Sequence, residues 1–356
     1  MPRRGLTERR LSLSLLFSEI HEQPVIIRRL LASETERVKA IVGQVRGKFD
    51  YVLIAARGSS DNAARYAQYL FGVQNQIQVA LATPSVFTLY QRPPRLAGAL
   101  VVGISQSGQS PDIVAVIAEA HQQGRPTIAI TNKVESPLAQ AAAHVVNLQA
   151  GDEGAVAATK TYTASLAALA LLSTLLTSNA AHLSQLNAAP ALMEQTLALS
   201  SPALTRAERY RFLDRCVVIG RGYNYATAFE IALKVKELTR VVAEPYSSAD
   251  FRHGPIALAR GDVPVLAIAP SGLAEEDMRT LVTDLAKLGT EVIAVSADPA
   301  ILDSARVAWP LPTGVPEWLS PLVAVLPGQL FGMALAEAKG YDPDKPVGLT
   351  KVTETL

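Results

Sequence analysis

The sequence predicts an α/β protein made of two tandem, doubly wound parallel-sheet domains related by internal duplication. Two observations carry this reading. Short runs of Val, Ile, Leu and Ala alternate with longer helical stretches along most of the 356 residues. That pattern fits parallel strands covered on both faces and joined by right-handed crossovers. The punctuation also repeats. An Arg-Gly turn follows the first strand of each half, at Arg57-Gly58 and Arg221-Gly222, and a Ser-Gly turn follows the second, at Ser107-Gly108 and Ser271-Gly272. Both pairs lie 164 residues apart, and the third strands align Ile128-Ala129 with Ile293-Ala294 at 165.

Residues 1–45 are expected to be a helical region, with the helix over about Leu11–Val45. The first domain covers 46–180, with strands at Tyr51–Ala56, Ala99–Ile104, Thr127–Thr131 and His144–Leu148. Within it, Ala164–Leu176 is apolar but broken by Ser165 and Ser173. It is too short to cross a bilayer and reads as a buried helix. A helical linker over 181–207, centred on Leu183–Leu199, leads to the second domain at 208–340. Its expected strands are Cys216–Gly220, Val263–Ala269, Glu291–Ser296 and Val307–Leu311. The tail, 341–356, opens on the turn-rich run Gly340–Gly348 and is expected to lie extended on another surface, closing the site.

Composition narrows the function. Hydrophobic residues make up 49% of the chain, enough for two cores, and 33 basic against 32 acidic residues leave a net charge of +1. That balance argues against nucleic acid or a membrane surface as partner. The single cysteine, Cys216, lies in an apolar run, so it forms no internal disulfide or zinc cluster and reads as core. His21, His121, His144 and His182 show no ligand spacing, and no metal is expected. Glu8 and Glu19 interrupt the basic N-terminus, and no cleavage site follows a clean apolar run. The expectation is a cytoplasmic protein without a signal peptide.

In open α/β sheets, ligands bind beyond the carboxyl ends of the strands. Two turns there are rich in hydroxyls in the first half: Arg57-Gly58-Ser59-Ser60-Asp61-Asn62 and Ser105-Gln106-Ser107-Gly108-Gln109-Ser110. Hydroxyls and free N–H groups at a helix start suit a phosphate, and neither turn is a nucleotide P-loop or a GxGxxG fingerprint. A lone serine there would read as an N-cap. Arg57 either adds charge to the site or packs. In the second half the matching turns read Arg221-Gly-Tyr-Asn-Tyr225 and Ala269-Pro-Ser-Gly-Leu273, where most hydroxyls are gone.

A helix over Ala228–Arg240 carries Glu230, Lys234 and Glu237 on one face amid apolar neighbours. The stripe is either a surface ladder of ion pairs or the lining of a polar pocket with a carboxylate base. His253, in Arg252-His253-Gly254-Pro255, sits in a turn. It is either an ordinary loop histidine or one able to open a sugar ring by proton transfer.

With these residues in view, the chain resembles the sugar-isomerase (SIS) domain family over about Glu19–Leu356. It is similar to the isomerase half of glutamine–fructose-6-phosphate aminotransferases and, most closely, to SIS-type glucosamine-6-phosphate deaminases. The stretches that carry the resemblance are Gly58-Ser59-Ser60, Ser105–Ser110, Val156-Ala-Ala-Thr-Lys160, Ala232-Leu-Lys-Val-Lys-Glu237, Arg252-His-Gly-Pro255 and Lys351-Val-Thr353. The resemblance implies two flavodoxin-like SIS domains. It implies phosphate binding at Ser60, Ser105, Gln106, Ser107 and Ser110, with Ser59 in the same turn. Val156 and Thr350 would contact the sugar through backbone. Glu237 would move the proton between C1 and C2, supported by Glu230 and Lys234. His253 would assist ring opening in a neighbouring subunit's site, which implies a homodimer. Lys351 would form a Schiff base with the open-chain ketose; without the resemblance it would read as a frayed terminal lysine.

The expected activity is glucosamine-6-phosphate deaminase/isomerase, without cofactor. No glutaminase domain with a terminal cysteine is seen, so glutamine-dependent synthesis is not expected. Alternatives are another phosphosugar isomerase, a fructosamine-phosphate deglycase, the isomerase part of a synthase, or a non-catalytic sugar-phosphate sensor.

Overall fold

The computed structural model describes residues 14–259 and 263–351. Residues 11–13 of the expected first helix and residues 352–356 of the tail motif lie outside them. The described chain forms two compact units, each discontinuous in sequence. The first comprises residues 25–153, 160–188 and 350–351; the second comprises 14–24, 154–159, 189–259 and 263–349.

The first unit holds a five-stranded parallel sheet of β1 (Tyr51–Ala55), β2 (Gln78–Leu81), β3 (Ala99–Ser105), β4 (Thr127–Thr131) and β5 (His144–Asn147), in the order β2-β1-β3-β4-β5. The second holds β6 (Arg215–Gly220), β7 (Val242–Ser247), β8 (Val265–Ala269), β9 (Val292–Ser296) and β10 (Val307–Pro310), in the order β7-β6-β8-β9-β10. Counted within each sheet, both follow the doubly wound order 2-1-3-4-5. The repeat extends past the turns that revealed it: the first strands start at 51 and 215, the second at 78 and 242, the fourth at 127 and 292.

Two strands, β2 and β7, escape the sequence reading for one physical reason. Both are edge strands, so neither needs a continuous apolar run. Gln78, Val242 and Glu244 are exposed, and β7 tolerates Pro245 because an edge strand has an unpaired side. The central strands β3, β4, β8 and β9 are buried at every residue.

The helices longer than ten residues are α1 (Leu15–Val45), α2 (Gly58–Asn75), α3 (Pro111–Gln122), α4 (Lys160–Thr177), α5 (Ala180–Leu199), α6 (Asn224–Thr239), α7 (Glu275–Lys287) and α8 (Ser320–Ala338). Helix α4 contains the expected buried Ala164–Leu176 segment. Helix α5 starts three residues before Leu183, because the Asn179 side chain accepts the His182 N–H (3.1 Å) and fixes an earlier first turn. Helix α6 likewise starts before Ala228. Its first residue, Asn224, is anchored by donating to the Ser320 hydroxyl (2.6 Å) and accepting from Thr227 (3.0 Å). The segment Glu317–Ala338 is long and apolar enough to cross a membrane by composition, and its apolar window is wholly buried in the second unit. Cys216 is buried in β6, and burial pushes its thiol up to about 12.

The tail follows the turn-rich reading: Gly340–Gly348 contains no regular element. Within the second unit, the Asp344 carboxylate accepts from Leu15 N (2.9 Å), Leu16 N (2.8 Å) and the Ser14 hydroxyl (2.7 Å). A residue more than 300 positions away thus caps α1. Replacing it, Asp344→Ala, is expected to cost about 1–2 kcal/mol. That would lower the thermal midpoint by a few degrees, roughly 2–4 °C per kcal/mol for a unit of this size. An unchanged melt would show that the cap contributes nothing.

Candidate functional site

In the first unit, both hydroxyl-rich turns stand at the carboxyl ends of central strands. Ser59 and Ser60 lie in the first turn of α2, half-buried, after β1. Ser105 is the last residue of β3, and Ser107 and Ser110 follow before α3. The Ser105 Oγ accepts the Gly108 N–H (3.1 Å) and the Ser107 Oγ accepts the Gln109 N–H (3.3 Å), so both hydroxyls retain a proton to donate. Neither Arg57 nor Ser110, the residues flanking the two helix starts, caps its helix with a side chain. In the first turn of α3 the Asp112 Oδ1 accepts the Ile113 N–H (2.9 Å), and the N–H groups at a helix start suit an anion. Gln106 is half-buried, and its backbone carbonyl accepts Asn132 N (3.2 Å).

Gly108 cannot be another residue here. Its φ is +64°, and a Cβ would fall 2.0 Å from the Ser136 hydroxyl. Arg57 does more than pack. Its Nε donates to the buried Asp112 Oδ2 (2.8 Å), tying the first turn to the start of the helix that follows the second. Burial pushes the Asp61 carboxyl up, with Arg65 and then Arg57 partly offsetting it.

The second unit's counterpart of the Ser-Gly turn is occupied from within. The Glu317 carboxylate accepts Leu273 N (2.9 Å) and Ala274 N (3.3 Å) at the approach to α7. Gly272, the repeat partner of Gly108, has φ +147°, and a Cβ on it would meet Glu317 at 2.3 Å. Where the first unit presents N–H groups and hydroxyls, the second fills them with its own anion.

Helix α6 settles the character of the charged stripe: it is buried. Lys234 lies 2.6 Å from Glu237 and 3.4 Å from Glu230. The side chains of Glu230 and Lys234 are 0% and 1% exposed, whereas Glu237 is 25% exposed. A buried ion pair at the base thus ends in one accessible carboxylate, which accepts from Lys234. His253 is exposed in the turn after a short helix, Ser248–Arg252. Arg252 anchors that turn through Asp277 Oδ1 (2.8 Å) and the Asp277 carbonyl (3.0 Å). The Val156 N–H donates to the Asp344 carbonyl (3.3 Å) in the same unit. In the first unit, Thr350 is exposed, and the Lys351 ammonium lies 2.8 Å from Glu153. Among the described residues, no group of three or more His, Cys, Asp or Glu converges as a metal site.

The pattern of the SIS domain matches this chain twice, at residues 50–175 and 213–329. The chain belongs to the SIS domain family. Among relatives, the glutamine–fructose-6-phosphate aminotransferase [isomerizing] of Gloeobacter violaceus is 34% identical over 371 residues, covering 98% of this chain and 59% of that protein. This SIS chain thus spans less than two thirds of that relative's length. Among solved structures, the C-terminal domain of glucosamine-fructose-6-phosphate aminotransferase from Francisella tularensis superposes with a TM-score of 0.85 at 26% identity, over 94% of this chain and 98% of that one. Glucosamine-6-phosphate deaminase from Thermotoga maritima has a TM-score of 0.78 at 23% identity, over 96% of this chain and all of that one, a likeness of fold.

The polar residues that sequence reasoning did not single out are Glu153, Asp344 and Glu317. Asp344 and Glu317 accept backbone N–H groups from far along the chain, and Glu153 pairs with Lys351, 198 positions away, so no short-range spacing marks these contacts. The repeat offers a paired test. Gly108→Ala is expected to weaken sugar-phosphate binding by about tenfold or more, because a strained turn misaligns its donors. Gly272→Ala is expected to lower stability while leaving that affinity unchanged. Equal losses in both, read by titration calorimetry, would contradict the assignment of the anion site to the first unit alone.

Proposed function

We propose that this SIS protein interconverts an aldose and a ketose 6-phosphate by proton transfer, with glucosamine 6-phosphate as substrate and fructose 6-phosphate plus ammonia as products. The observation that carries the reading is the buried Glu230–Lys234–Glu237 stripe ending in one accessible carboxylate. A surface ladder of ion pairs would have no reason to bury its lysine. A general base that must strip a carbon-bound proton benefits from fixed geometry and limited solvent.

In this reading the serine-rich turns hold the phosphate through Ser59, Ser60, Ser105, Gln106, Ser107 and Ser110. The backbones of Val156 and Thr350 contact the sugar. His253 assists ring opening by moving a proton to the ring oxygen. Glu237 then takes the C2 proton and returns it to C1, which converts the amino aldose into a ketose imine. Water adds at C2, the C–N bond breaks and ammonia leaves. Lys351 forms its imine with the open-chain ketose, and no cofactor takes part. The similarity to isomerising aminotransferases supports the substrate class. It also favours a second reading, in which the same groups run the reaction towards the amino sugar.

The test is simultaneous assay of ammonia and fructose 6-phosphate from glucosamine 6-phosphate. Equal amounts of both are expected, with Glu237→Gln losing about 10²–10⁴-fold in kcat at little cost in binding. Ammonia incorporation into fructose 6-phosphate without release would favour the second reading. A Glu237→Gln variant as active as the parent would remove Glu237 from the mechanism.

If His253 serves the site of a second copy, mixing inactive His253→Ala and Glu237→Gln chains should restore about a quarter to a half of parental activity, since some hetero-oligomers contain one complete site. No recovery from mixed chains that demonstrably co-assemble would assign His253 to its own chain.

A further inference from the structure

The Glu153 side chain is fully shielded from solvent, yet donors from Thr161 and Lys351 meet it. Its Oε1 accepts the Thr161 N–H (3.1 Å), and its Oε2 accepts the Thr161 hydroxyl (2.8 Å) and the Lys351 ammonium (2.8 Å). Thr161 is the second residue of the 18-residue helix α4, so the carboxylate sits where unpaired N–H groups and the helix dipole favour an anion. Lys351 is the opposite kind of residue. It lies on a tail without regular structure, and its side chain is 24% exposed. A rigid buried anion therefore tethers a loosely supported cation.

We propose that Glu153 is the positioning residue for Lys351 and the acceptor of its proton during imine formation, a step that rests on the function proposed above. An ammonium has no lone pair to attack with. As the ketose arrives, the proton passes to the Glu153 carboxylate, and the freed nitrogen forms the bond to the C2 carbonyl carbon. Glu153 returns the proton to the carbinolamine oxygen, a second proton passes from the nitrogen to the same oxygen, the C–O bond breaks and water leaves. The nitrogen keeps one hydrogen and the positive charge. Lysine ammonium plus ketone gives iminium plus water, so atoms and charge balance without an outside reagent. The resulting iminium is again a cation beside the same carboxylate, so the ion pair survives the reaction it serves.

The experiment incubates the full chain with fructose 6-phosphate and borohydride, then reads the labelled Lys351 peptide by mass spectrometry across a range of pH. The parent is expected to label at Lys351 with an acid limb in its pH profile. Glu153→Gln keeps the shape and the acceptor for the Thr161 N–H. It is expected to label roughly 10- to 100-fold less and to lack that limb. Glu153→Asp should recover part of the labelling. Thr161→Val removes one bond to the carboxylate without touching the lysine; it should melt lower yet label like the parent. Labelling of Glu153→Gln at the parental level, or parallel loss in Thr161→Val, would overturn the proposal. An unlabelled parent would instead overturn the Schiff-base role of Lys351, on which the proposal rests.

Discussion

The backbone N–H groups at helix starts constrain this molecule more than any other feature. A doubly wound parallel sheet delivers each helix start to the carboxyl edge of the strands, and every start leaves donors with no partner in its own helix. The chain meets that demand at several starts with carboxylates from outside the helix. Asp344 caps α1, Glu317 occupies the approach to α7, and Glu153 meets the second residue of α4. Glu19 serves the same purpose for a loop, accepting Gly154 N (2.6 Å) and Ala155 N (3.3 Å). In the first unit, the two turns after β1 and β3 are treated differently: they carry serines, and neither N-cap residue, Arg57 or Ser110, caps its helix with its side chain.

This difference explains how a duplicated fold divides its labour. The two sheets share strand order and an offset near 164 residues, so the second unit inherits the geometry of an anion site. It lacks most of the hydroxyls and carries Glu317, whose close approach depends on Gly272. In exchange, the second unit carries the buried Glu230–Lys234–Glu237 stripe on α6. In the proposed function, one copy holds the phosphate and the other moves the proton.

The sequence is most legible where one segment satisfies its own physics. Central strands such as β3 and β9 must be apolar throughout, so they stand out. The second turn of the repeat is legible because Gly108 must take a positive φ close against Ser136. The shared face of Glu230, Lys234 and Glu237 follows from helical periodicity alone. Its burial does not, because that depends on what packs over α6. Edge strands β2 and β7 are obscure because one side is unpaired and polar residues are allowed there. The capping carboxylates are illegible for a sharper reason. Asp344 and Leu15 are 329 positions apart, and Glu317 and Leu273 are 44 apart, so no local motif connects them. The Lys351–Glu153 pair, 198 positions apart, is of the same kind.

The proposed phosphate site lies at the serine-rich turns of the first unit, and Glu317 fills the counterpart of the second turn in the other unit. The most direct measurement is the calorimetric stoichiometry of an unreactive open-chain sugar phosphate, glucitol 6-phosphate, on the intact chain. One molecule bound per chain is the predicted result. Two equivalent sites per chain, or none, would contradict it.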